Sequence, residues 1–189
     1  MMAGVSPNED SYFGTSVFQH AKNRSLWLML LMLSATVSGE ILAHYEKAMA
    51  AMPVLITFIP MLMGTSGNSG SQSSTMVIRG LAVGEIQFKD FFRVVFKEIR
   101  VALIVGVLLA IVNGIRVYLM YDQDLTLAIA IGITMIAIVC MAKCVGCTLP
   151  LLAKKIGLDP ALMAAPLIST IIDTCTILMY FAIITALYR

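Results

Sequence analysis

Residues 60–75 read Pro60-Met-Leu-Met-Gly64-Thr-Ser-Gly67-Asn68-Ser-Gly70-Ser-Gln72-Ser-Ser-Thr75, which sets a dozen small or polar residues inside a segment otherwise apolar enough to enter a membrane. A lipid-facing helix does not tolerate such a run. Polar groups at membrane depth need partners, so the segment is expected to face protein or a water-filled path. On a helix turning about 100° per residue, Gly64, Asn68, Ser71, Thr75 and Arg79 share one stripe. A packing seam between membrane helices would account for the glycines. It does not account for Asn68 and Gln72, which carry amide dipoles to membrane depth.

The rest of the chain has the same character. Of 189 residues, 59% are hydrophobic and 13% charged, against about 25% charged in soluble proteins. The formal charge of +2, with no basic run interleaved with aromatics, excludes nucleic-acid binding. Crossing about 30 Å of hydrocarbon takes roughly 20 helical residues, and five segments qualify. They lie near 25–44, 52–79, 95–121, 125–152 and 160–188. The first follows a polar 24-residue tail, contains Glu40 and lacks a small-residue cleavage site, so it is expected to be a retained span. The expectation is an all-α polytopic protein: residues 1–24 a cytoplasmic tail or interfacial helix, residues 25–189 a five-helix transmembrane domain.

Lys22 and Arg24 precede the first span, Arg79, Lys89, Arg93 and Lys97 separate the second from the third, and Lys154 and Lys155 separate the fourth from the fifth. The alternate connections are poor in base. By the positive-inside rule this predicts a multi-pass protein of the cell membrane, its N-terminus cytoplasmic and its C-terminus outside.

Asp173 stands near the middle of the fifth span. A carboxylate there costs roughly 2.5–3.5 kcal/mol unless a cavity, cation or partner offsets it. Pro166, Ser169, Thr170, Asp173, Ile177 and Tyr180 form one stripe, oxygen-rich on both sides of the acid. Three accounts compete: a structural ion pair, a protonated acid that glues helices together, and a cation path. Arg79, Arg116 and Lys143 are expected toward the membrane surfaces, the last two snorkelling, and Glu98 is within reach of Lys97 or Arg79. A cation path is therefore favoured. The second and fifth spans bring Asn68 and Asp173 to similar depth, and their oxygens suit hard divalent ions. With no second acid at that depth, a twofold axis would set two Asp173 carboxylates about one ion, which argues for a homodimer with its pore on the axis. Such a sparse site suits Mg²⁺, which keeps much of its water.

Cys140, Cys144, Cys147 and Cys175 are expected to be small, buried and inert rather than a thiolate metal site. His20 and His44 lie at span edges, and no serine has a matched base, so an enzyme is not expected, nor any organic cofactor.

The ordered set Pro60-x-x-x-Gly64-Thr-x-Gly67-Asn68-x-Gly70-x-Gln72, Ile78-Arg79-x-Leu81-Ala82, Leu149-Pro150, Gly157-x-Asp159-Pro160-Ala161 and Pro166-Leu-x-x-Thr170-x-x-Asp173 resembles the MgtE family of magnesium channels over nearly all of residues 25–189. That likeness implies a homodimer of five-span subunits in the lipid bilayer, with spans two and five lining a Mg²⁺ pore. It implies Asp173 as the central acid, Asn68 as a polar contact and Ser169 acting through its backbone carbonyl. Gly64, Gly67, Ser71, Gln72 and Thr170 would line the path, and Glu46 would gather cations at the entrance. Ser71 and Ala165 depart from the pattern, since relatives often place Asn at both. Full-length bacterial members add cytoplasmic sensory regions, so this chain is expected to conduct without them or with gating from another polypeptide. The rival function is a secondary transporter exchanging Mg²⁺ or another divalent cation for Na⁺ or H⁺. A third is a non-conducting membrane subunit.

Overall fold

A computed structural model describes residues 13–121, 124–160 and 165–188, apart from the side chains of Asn23, Leu26, Trp27, Ala165 and Pro166. The described residues form helices α1 (Val17–His44), α2 (Glu46–Ala51), α3 (Val54–Ala82), α4 (Phe91–Met120), α5 (Leu125–Lys155) and α6 (Ala165–Leu187), with a 3-10 turn at Phe88–Asp90 before α4. The all-helical expectation holds. Helices α3, α4 and α5 have 29, 30 and 31 residues. At about 1.5 Å per residue each exceeds the hydrocarbon thickness by roughly 15 Å. Leu125–Lys155 and Leu167–Leu187 are each apolar and long enough to cross a membrane, and Leu28–His44 is a shorter apolar stretch.

Local chemistry sets the ends. Ser16 caps α1 by accepting the Gln19 N–H at 3.2 Å, and Asp124 caps α5 by accepting the Leu127 N–H at 2.9 Å. Helix α5 closes on Gly157, whose φ of 78° lies in the left-handed region. The Leu158 N–H donates to Ala153 O at 2.9 Å and the Gly157 N–H to Lys154 O at 3.2 Å, a Schellman arrangement that satisfies the terminal carbonyls. Lys155 then lies over the Phe88 ring at 4.6 Å, tying the end of α5 to the start of α4.

Helix α5 is the hub: α3, α4 and α6 all pack on it, while α1 packs on α6. The main core joins Leu55, Phe58 and Leu62 of α3 to Ile131 and Ile138 of α5 and to Tyr180 and Phe181 of α6, all essentially inaccessible. The crossing of α3 and α5 is a backbone contact, since a Cβ on Gly146 would collide with the Gly70 carbonyl and one on Gly70 would stand only 3.0 Å from the Ala142 carbonyl. The small-residue seam is thus real, but it occupies the Gly67–Gly70 face of α3. The stripe of Gly64, Asn68, Gln72, Thr75 and Arg79 is exposed.

Three details differ from expectation. Helix α1 starts at Val17, so it takes in part of the expected tail, and a short α2 follows the Tyr45 turn. Lys143 does not snorkel: it is only 5% exposed. The sequence placed it near a helix end, but it lies twelve residues inside α5, too far for its side chain to reach the surface. Glu98 consequently pairs with neither Lys97 nor Arg79 but with Lys143, the two charged atoms 3.8 Å apart.

Candidate functional site

The site forms where α6 is fastened to α3. Thr176 Oγ1 donates to Ser66 Oγ at 2.7 Å, and one turn further along α6 Tyr180 OH donates to Leu55 O at 2.9 Å. Both bonds are buried, where an unmet hydroxyl would cost about 1–3 kcal/mol, so they fix the register of the two helices. On the opposite flank, the Ser38 and Thr174 hydroxyls meet at 2.8 Å and Thr174 Oγ1 donates back to Thr170 O at 3.0 Å. Asp173 is held between these contacts.

That register brings Asp173 and Ser169 against the bare backbone of Gly67. A Cβ on Gly67 would lie 3.8 Å from Ser169 Oγ and 3.9 Å from Asp173 Oδ1. Both are ordinary van der Waals separations, so the acid lies beside α3 at Gly67 with no side chain between them. Asn68, the next residue, is on the exposed face with Gly64, Gln72 and Thr75, while Ser71 and Thr170 are half-buried. Ser169 presents its hydroxyl to Gly67, and its main chain is helical. Glu46 is exposed at the start of α2, in the turn joining α1 to α3. Residues 161–164 and the side chains of Ala165 and Pro166 lie outside the described residues.

Asp173 is half-buried and, among the described residues, makes neither an ion pair nor a hydrogen bond. The basic groups that would neutralise it are engaged elsewhere or exposed. Lys143 Nζ is 3.8 Å from Glu98 Oε2 and 3.3 Å from Ser73 Oγ. Arg116 donates to Asn113 Oδ1 at 2.9 Å and to Met61 Sδ at 3.3 Å, and Arg79 is exposed. The described residues contain no cluster of three His, Cys, Asp or Glu side chains able to hold a metal. The four cysteines are free.

Sequence reasoning missed the Glu98–Lys143–Ser73 cluster, in which Ser73 also donates to Glu98. The available signal was a lysine well inside an apolar helix. Its partners come from two other helices at separations of 45 and 70 residues, which periodicity does not reveal.

The fold and site define an all-helical membrane protein that keeps a carboxylate, unpaired among the described residues, inside its bundle beside an uncovered polar helix face. The chain belongs to the MgtE family: the family's sequence model, described as a divalent cation transporter, matches residues 59–183. It is similar to the magnesium transporter MgtE of Thermus thermophilus, with 36% identity over 160 residues, covering 85% of this chain and 35% of the relative. The magnesium transporter MgtE of Bacillus subtilis is 32% identical over 182 residues, covering 96% and 40%. That of Enterococcus faecalis is 29% identical over 191 residues, covering 100% and 41%. The chain therefore spans well under half the length of these relatives. The family is one of transporters rather than enzymes.

Proposed function

We propose that this chain is the pore-forming part of a Mg²⁺ channel, acting as a homodimer of five-span subunits with the pore on the twofold axis. The observation that carries this reading is Asp173: a carboxylate within an apolar helix, set against Gly67 and Ser169, with no cation beside it among the described residues. A charge so placed is balanced by a passing ion at lower cost than by lipid or by nothing. The exposed stripe of Gly64, Asn68, Gln72 and Thr75 supports the rest, since a polar face at membrane depth calls for a second subunit and a hydrated path.

Two copies give two Asp173 carboxylates, enough to balance one divalent ion. Asn68 amides and Ser169 oxygens would contact the water that Mg²⁺ retains, which favours binding loose enough for release. The sequence-derived orientation, with a cytoplasmic N-terminus, places the ends of α3 and α5 on the cytoplasmic side.

Reconstitution of the purified chain into liposomes tests this function. Mg²⁺ influx driven by its own gradient, with single-channel currents, is expected; Ca²⁺, Mn²⁺ and Co²⁺ in the same assay define selectivity. Flux that requires an opposing Na⁺ or H⁺ gradient would replace the channel with an exchanger. No flux of any ion would leave only a membrane subunit and overturn the proposal.

A further inference from the structure

A cavity of about 630 Å³ opens between α3 and α4, at the end of the bundle where Gly84 turns the chain from one helix toward the other. Both helices pack on α5, and their backbones stand apart with side chains such as Ser73 and Glu98 bridging them, which leaves space between them. Met76 and Val77 of α3 and Val94 and Val101 of α4 provide apolar walls. Glu98 and Lys143, already neutralising each other, also line it. Gln72 lines it as well, so the cavity adjoins the polar face of α3.

The remaining lining charges are Glu85, Asp90, Arg93 and Lys97, two of each sign. They do not cancel by contact: among the described residues, Glu85, Arg93 and Lys97 make no ion pair, and Asp90 Oδ2 accepts only the Gln87 N–H, at 3.0 Å. The depth of these groups follows from α4 itself. Its first ten residues carry Arg93, Lys97, Glu98 and Arg100, whereas the stretch 101–115 carries no charge at all. That charge-free stretch belongs in hydrocarbon and the charged turns in the headgroup layer. Arg100 lies over the Phe96 ring at 5.5 Å, and Phe92 and Phe96 are largely exposed, as aromatic side chains are at a membrane interface.

We propose that this cavity binds one membrane phospholipid with a zwitterionic primary-amine headgroup, a phosphatidylethanolamine. Its phosphate lies between Arg93 and Lys97, its ammonium donates to Asp90 and Glu85, and an acyl chain follows the wall of Val94 and Val101. Both signs on the protein are then met by both signs on one ligand. A phosphatidylglycerol would leave the two acids facing an anion, and a choline headgroup has no N–H to donate to them. The assignment is independent of which ion the protein moves.

Native mass spectrometry of the full chain in mild detergent, with phosphatidylethanolamine, phosphatidylcholine and phosphatidylglycerol of identical acyl chains, tests it. Retention of the ethanolamine lipid is expected to exceed that of the choline lipid about fivefold, the weight of roughly one headgroup-level charge contact, and Arg93→Gln with Lys97→Gln, which removes two such contacts, to lower it about 25-fold. Glu85→Gln with Asp90→Asn should bring the ethanolamine lipid down to the choline level without changing the latter. These residues line the cavity mouth away from the buried core, and a circular dichroism spectrum matching that of the parent confirms that each variant is folded. Equal retention of the ethanolamine and choline lipids, or preference for phosphatidylglycerol, overturns the proposal. So does a lipid-free protein whose copies cross-link through Arg93→Cys, which assigns the cavity to a second copy.

Discussion

At the scale of single residues, two charges inside the bundle have opposite circumstances. Among the described residues Lys143 has found a partner and Asp173 has not. Removing one member of a buried ion pair strands the other, at a cost of roughly 3–5 kcal/mol, whereas removing both with apolar replacements is often neutral. Lys143→Met is therefore expected to lower thermal stability in detergent substantially, and Lys143→Met with Glu98→Met to recover most of the loss. Additive losses in circular dichroism melting curves would contradict this pairing. Asp173 was legible in the sequence because a carboxylate amid apolar residues stands out by composition alone. The pairing of Lys143 was not, because its partners depend on how α3, α4 and α5 cross.

At the scale of elements, the long helices and their apolar faces were legible from segment length and hydropathy. The start of α1 and the separate α2 were not, since the former depends on a single Ser16 cap and the latter on a local turn at Tyr45. The glycine run held two overlapping messages that sequence could not separate. Gly70 marks a backbone contact with Gly146, whereas Gly64 has nothing within 4 Å of where a Cβ would stand. Gly70→Ala or Gly146→Ala forces α3 away from α5 and should destabilise the fold by about 1–3 kcal/mol, while Gly64→Ala should leave the melting temperature unchanged. Equal melting of all three would remove the close crossing from the account. Tyr180→Phe deletes the bond to Leu55 O and should cost about 1 kcal/mol. A shift too small to measure would mean that this bond does not fasten α6 to α3.

At the scale of the whole molecule, the uncovered α3 stripe is the feature that one chain leaves unresolved. Asn68, Gln72 and Thr75 are exposed on a helix whose other faces pack on α5 and α6. If a second copy covers that face, Gln72→Cys pairs should cross-link in native membranes, whereas Leu108→Cys, exposed on the far side of α4, should not. The reverse pattern would move the subunit contact and the pore with it. This assembly was only partly legible, because the stripe could be counted on a helical wheel but the face it leaves bare emerges only once the bundle is built.

The central claim, that a moving cation rather than the protein balances Asp173, meets its most direct test in Mg²⁺ influx into proteoliposomes of the parent chain and of Asp173→Asn. This change keeps the size and shape of the side chain while removing the charge and exchanging one acceptor oxygen for an amide donor. The account predicts that flux falls about tenfold or more with helical content and oligomeric state unchanged. Undiminished Mg²⁺ influx through a correctly assembled Asp173→Asn protein would contradict it.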